Sequence, residues 1–191
     1  MTRCFEFEVT LQEIQPRIWR RFLIDSKANF LHLHEAIQAA GPWQNYHLFC
    51  FQTRKGKMIA GIPDPEFGKP DPDARRVKLA LHFGRRGMTS CKYIYDFGDD
   101  WAHEVVLRSV VETPRKVFRS LVDGALSFPP EDSGGPHAYE SWVEVATGRR
   151  KDRERKEWLG DWKPDGFDLA KARQQFDLKK RPRLYAADYG F

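Results

Sequence analysis

Apolar and polar residues alternate through residues 5–11. Phe5, Phe7, Val9 and Leu11 share one side; Glu6, Glu8 and Thr10 share the other. A period of two predicts a half-buried strand. Gln15-Pro16 marks a turn or strand start, because proline lacks the N–H that a central ladder needs. Ile18, Arg20, Phe22 and Ile24 then alternate with Trp19, Arg21 and Leu23, predicting a second strand in a hairpin with the first. Arg20 and Arg21 fall on opposite faces. One of them faces solvent, and the other either pairs with a carboxylate or lays its stem over apolar surface. The period then changes. Asn29 is an N-cap, Phe30, Leu33, Ile37 and Ala40 recur at helical spacing, and Gly41-Pro42 stops the helix. On this reading Glu35 and Gln38 face outward. His32 and His34, two residues apart, point in different directions and make a poor metal pair.

Strand-like character returns from Trp43 to Gln52. Residues 53–75 read as a mobile loop rich in proline and acidic residues. Val77, Leu79, Leu81 and Phe83 fit either a strand or a short helix. Cys91, Tyr93, Tyr95 and Phe97 share one face of a strand, and Trp101, His103, Val105 and Leu107 share one face of the next. The turn between is Gly98-Asp99 or Gly98-Asp99-Asp100. The longer turn sets Phe97 opposite Trp101 and Tyr95 opposite His103; the shorter sets Asp96 opposite Trp101. Residues 112–136 lack periodicity. Pro136 opens a helix carrying Tyr139, Trp142, Val143 and Ala146, Arg149 to Glu157 continue as an exposed helical charge run, and Asp168 caps a last helix. The predicted fold is α+β: a mixed, largely antiparallel sheet in the order β-β-α-β-β-β, with a β-grasp-like core packed against a helix and followed by C-terminal helices. One domain is expected over residues 1–191, with its core at 3–178 and a basic tail at 179–191.

Composition supplies the means for a core. Hydrophobic residues are 41% of the chain, and 14 Phe, 6 Trp and 6 Tyr add large buried areas. No segment reaches the roughly 18 apolar residues of a membrane span, and acidic residues interrupt the N-terminal apolar positions, so neither an anchor nor a signal peptide is expected. Cys4, Cys50 and Cys91 are far apart and odd in number, which argues against a disulfide framework and fits a cytoplasmic location. The net charge of +5 is uneven: residues 149–183 hold 13 Lys/Arg and 7 Asp/Glu. That stretch, led by Arg149, Arg150, Lys151 and Arg153, is a candidate surface for phosphates or an acidic partner; it also reads as a solvated helical face.

Candidate chemistry gathers at the aromatic hairpin and the proline-rich segment beyond it. Asp96, Asp99, Asp100, His103, Glu131 and Asp132 are the candidate catalytic residues, with Arg20 and His34 beside them. Carboxylates with a histidine bind a divalent ion or share proton transfer. Asp99, His103 and Glu131 are the candidate metal ligands, and oxygen-rich ligation selects Mg²⁺ or Mn²⁺ over zinc. The same residues also suit a purely structural hairpin, in which turn aspartates bond local N–H groups and His103 donates to a buried carbonyl. The sequence has no GxSxG, GxGxxG or Walker pattern, so nucleophilic catalysis and nucleotide cofactors have no support.

Four segments together resemble the plasmid pRiA4b ORF-3-like proteins. They are Pro16 to Arg21; Leu33 to Ala40 running on to Trp43 and His47-Leu48; Tyr93 through His103; and Pro129 to Asp132 with Gly134, Gly135 and Tyr139. The third looks like the family's hallmark YxYDFGDxWxH. The resemblance covers about residues 3–178 and implies a mobile-element or genome-defence context, without implying a reaction. Family members commonly carry cysteines where this chain has Leu121, Phe128 and Ser133, so ordinary packing is expected at those positions. Two functions stand: a non-enzymatic interaction module for nucleic acid or a protein partner, and a divalent-metal-dependent hydrolase. No cofactor is assigned beyond the Mg²⁺ or Mn²⁺ that the second would need.

Overall fold

The alternating N-terminal residues become an inner strand of a seven-stranded sheet. In a computed structural model that describes residues 1–41, 43–63, 72–84 and 87–178, the strands are β1 (Thr2–Leu11), β2 (Trp19–Asp25), β3 (Phe49–Gln52), β4 (Met58–Gly61), β5 (Ser90–Tyr95), β6 (Trp101–Thr113) and β7 (Arg119–Ala125). Their order across the sheet is β4-β3-β5-β6-β1-β2-β7, and every pairing between them is antiparallel. The α+β class is as expected. The expected mixed sheet is not found, because no two neighbouring strands pair in parallel, and this strand order does not display the expected β-grasp-like core.

Register puts one set of side chains on one face. Val9 pairs with Arg20 and Val105, Phe7 with Phe22, Leu11 with His103, and Tyr93 and Tyr95 with Phe51 and Phe49. This face carries the core. Helix α1 (Phe30–Ala40) lies across it, started by Asn29, whose side chain accepts the His32 N–H at 2.9 Å while the His32 ring accepts the Asn29 N–H. Phe176 of α4 (Leu169–Leu178) packs on Phe22 of the same face, Arg119 of β7 donates to the Glu35 carbonyl, and Gln38 Nε2 donates to the Tyr93 hydroxyl at 3.2 Å. Glu35 and Gln38 are therefore buried and not outward-facing.

Three other expectations change. Residues 43–48 are not strand, and β4 lies inside the stretch read as loop. Residues 64–71 of that stretch, and the tail 179–191, lie outside the described residues. Leu79–Leu81 is a single 3₁₀ turn, and β7 occupies part of the region without periodicity. Only Leu121 of β7 is buried, so its alternation is faint: it is an edge strand. Helices α2 (Gly135–Ala146) and α3 (Arg153–Leu159) follow, with α4 capped by Asp168 as expected. Leu121 and Phe128 pack as ordinary core residues, Ser133 is buried with its hydroxyl on the Pro130 carbonyl, and all three cysteines are free. Among the described residues no helix is long and apolar enough to cross a membrane.

Candidate functional site

The hairpin joining β5 to β6 has neither expected register. Tyr95 opposes Trp101 and Tyr93 opposes His103, leaving a five-residue loop, Asp96–Asp100. Asp96 builds it. Its Oδ1 accepts the Gly98 N–H at 2.9 Å and the Asp99 N–H at 3.3 Å, while its carbonyl accepts the Asp100 N–H at 2.7 Å. Asp96 and Asp100 take left-handed backbone with φ of 57° and 52°, which aspartate tolerates better than most residues. Phe97 is thereby expelled from the strand face and is 55% exposed.

The segment 129–135 folds onto this loop. Trp43 Nε1 donates to the Pro129 carbonyl at 3.0 Å and anchors its start. Glu131 accepts the Gln44 N–H at 2.7 Å with one oxygen and the Tyr95 hydroxyl with the other. That contact and burial push the Tyr95 pKa upward, burial being the larger cause. Asp99 Oδ2 accepts the Gly134 N–H at 2.9 Å. At Gly135, with φ of 74°, a Cβ would stand 2.2 Å from the Asp99 carbonyl oxygen, so only glycine lets the two chains approach this closely.

At the rim of this junction three side chains from three segments converge. His47 Nε2 lies 2.7 Å from Asp132 Oδ1 and 3.6 Å from Asp96 Oδ2. All three ligand atoms lie within 4.8 Å of one another. Asp132 is exposed, His47 half-buried and Asp96 nearly buried. Of the candidate residues, the structure thus brings Asp96 and Asp132 together, with Glu131 beside them as a clamp. Asp99 serves the docking of Gly134, and Asp100 is exposed with its N–H in the turn.

His103 does not join them. It is fully buried on the core face, among Trp43, Tyr93 and Phe128, with Nδ1 2.9 Å from the Trp101 carbonyl. Burial drives its pKa to about 3, so it is a neutral core histidine at neutral pH. His34 is likewise fully buried and held near 3 by burial. Its Nε2 sits 2.6 Å from Asn45 Oδ1, an acceptor, so Nε2 carries the proton and Nδ1 accepts from the Tyr93 hydroxyl at 2.7 Å. Arg20 is buried on the helix side of the sheet, far from a surface phosphate contact. Arg21, on the open face, pairs with Glu8 instead.

His47 was not among the residues singled out for chemistry. Its signal was its place in the second segment of the resemblance; its apparent position in a strand hid it. The basic residues behave unevenly. Arg149 pairs with Glu140 and Arg153 with Glu157, whereas Arg150 and Lys151 line an open concavity with Arg153 and Lys156.

Comparison with known proteins follows the same segments. The family model described as plasmid pRiA4b ORF-3-like protein matches residues 3–171. The uncharacterized protein y4hQ of Sinorhizobium fredii (strain NBRC 101917 / NGR234) is 36% identical over 155 residues, spanning 80% of this chain and 79% of its own. The crystal structure of MM3350, a protein of unknown function from Methanosarcina mazei Go1, shares the fold with a TM-score of 0.78 at 30% identity. That match covers 89% of this chain and 96% of the other.

Proposed function

This chain belongs to the plasmid pRiA4b ORF-3-like family, and from that premise we propose that it binds a divalent cation through His47 Nε2, Asp96 Oδ2 and Asp132 Oδ1 and uses it in hydrolysis of an anionic substrate. One observation carries this reading: three ligand atoms of the right chemistry, from three separate segments, lie within 4.8 Å of one another at an accessible rim. Three protein ligands leave coordination positions for water and substrate, the arrangement metal hydrolases need. Glu131 has both oxygens engaged by Tyr95 and Gln44. Its role is to hold the segment that delivers Asp132, in the manner of residues that support metal ligands from behind. An imidazole with two carboxylates accepts Mn²⁺ or Zn²⁺ more readily than Mg²⁺.

Calorimetric titration of the metal-free protein with Mg²⁺, Mn²⁺ and Zn²⁺ tests the site. Saturable Mn²⁺ or Zn²⁺ binding, lost in His47→Ala, is the expected result, followed by metal-dependent turnover of a generic phosphodiester such as bis(p-nitrophenyl) phosphate. No binding of any of the three ions removes the reading.

A second reading is an interaction module for nucleic acid or an acidic protein. The concavity lined by Arg150, Lys151, Arg153 and Lys156 favours it, and Asp152 within the same lining weakens it. A gel-shift of random duplex and single-stranded DNA at low salt, lost steeply as salt rises, is its expected signature.

A further inference from the structure

A cavity separate from the His47 cluster lies around Arg20 of β2, at the C-terminal end of α1. This arginine is 3% exposed. Its Nε donates to the Ala40 carbonyl at 3.0 Å, and Nη1 donates to the carbonyls of Trp19 at 2.8 Å and Ala125 at 3.0 Å. Nη2 has no protein acceptor among the described residues, and no carboxylate pairs with the guanidinium. A buried cation without a counter-ion is costly. Burial alone pulls its pKa down to about 9.

The surroundings make room for something else. Arg20 opens onto a cavity of about 220 Å³ bordered by Ser127, Phe128, Trp162, Phe167 and Lys171. Phe167 and Phe128 flank the guanidinium at 3.8 and 4.8 Å. Gly124, which pairs with Arg20 across β2 and β7, leaves the space its stem needs: a Cβ there would stand 2.7 Å from Arg20 Cδ and 3.0 Å from the Phe167 ring. Asp168 also lines the cavity, but its carboxylate already accepts the Lys171 N–H at 3.0 Å as the cap of α4. Two cations thus face one engaged carboxylate.

We propose that this cavity binds a small organic carboxylate, with an oxygen on Arg20 Nη2 and the apolar end against Phe128, Trp162 and Phe167. Phosphate is the poorer fit: Arg20 Nη2, Lys171 and Ser127 offer it donors, but the rings of Phe128, Trp162 and Phe167 offer nothing to an anion that has no apolar part. The ligand is small, since the cavity lies below the roughly 300–1,000 Å³ of drug-sized pockets.

The test titrates the full chain with benzoate, butyrate, benzyl alcohol and inorganic phosphate, followed by calorimetry and tryptophan fluorescence. Saturable binding of benzoate or butyrate, with the alcohol and phosphate weaker by roughly tenfold or more, is expected. Arg20→Lys should weaken carboxylate binding, but it also disturbs three carbonyl contacts. Ala172→Leu therefore serves as the second variant: it fills the cavity and leaves Arg20 intact. It should lose benzoate roughly tenfold while retaining the wild-type circular dichroism. The proposal fails if neither carboxylate binds saturably, if phosphate binds as tightly as benzoate, or if a folded Ala172→Leu binds benzoate unchanged.

Discussion

The Asp99 carbonyl oxygen occupies the space that a side chain on Gly135 would need: the distance to an ideal Cβ is 2.2 Å. Backbone against backbone, this contact joins the β5–β6 loop to the start of α2. It sets how closely Asp132, three residues earlier, approaches Asp96. Gly135→Ala must therefore both strain a φ of 74° and push the loop away. The expected destabilisation is about 2–4 kcal/mol, from left-handed strain plus overpacking. Urea unfolding measures it, and a loss below about 0.5 kcal/mol would mean that the two segments separate freely.

Glu8 lies on the open face of the sheet yet is 2% exposed, covered by Arg17, Arg21 and Arg108. Burial works to raise its pKa; the hydrogen bonds from Arg108, Arg21 and Arg17 overcome that and set it to about 2. Its contribution is present above the ordinary carboxylate value near 4.5 and disappears as pH falls toward 2. Glu8→Gln should cost about 1–2 kcal/mol near neutral pH, because the arginine heads it abandons are part-exposed and regain water. The difference between variant and parent should shrink below pH 4, which acid-range thermal melts would register.

Stability should begin to fall at a higher pH for a different reason. His34 and His103 hold pKa values near 3 when folded, against about 6.5 unfolded. Below 6.5 the unfolded chain takes up protons that the folded chain refuses, so stability is full above that value and declines toward pH 3. From pH 7.5 to 5.5 the two together should cost about 2–3 kcal/mol, roughly 1.4 for each. Glu8 is silent in this window. Chemical denaturation at each pH gives the slope, and His103→Gln should lower it by about one proton even if the variant is less stable.

What could be read from residues alone was the part that a single period controls. The first hairpin, α1 with its Asn29 cap, and the helix opened at Pro136 follow from local pattern, because burial on one face dictates each. β7 was missed because an edge strand with one buried side chain has almost no alternation to display. The β5–β6 register was missed because Asp96 and Asp100 absorb the chain reversal through left-handed backbone, a possibility that side-chain alternation does not report. The site shows the same division. Asp96 and Asp132 stood out as carboxylates, but His47 could not be joined to them. Its partners lie 49 and 85 residues away and are met only through docking of the 129–135 segment. His103, chemically the more conspicuous histidine, went to the core because strict alternation with Trp101 places it there.

The metal reading makes one prediction that a structural staple does not. Without metal, His47 Nε2 must carry a proton to hydrogen-bond Asp132 Oδ1 at 2.7 Å. A cation on that same nitrogen breaks this hydrogen bond, so binding has to move the neutral ring's proton from Nε2 to Nδ1. NMR of the His47 ring should therefore show the proton on Nε2 in the metal-free protein and on Nδ1 once Mn²⁺ is replaced by diamagnetic Zn²⁺ at the site. Asp132→Asn should weaken the ion roughly tenfold or more, while Asp100→Asn, exposed and outside the ligand set, should leave affinity within about twofold. If Asp100→Asn weakened the metal as much as Asp132→Asn, the effect would be the general field of an acidic loop and the three-residue site would be wrong. If His47→Ala destabilised the fold without any metal having bound the parent chain, the cluster would be only the clasp that closes the 129–135 segment onto the hairpin.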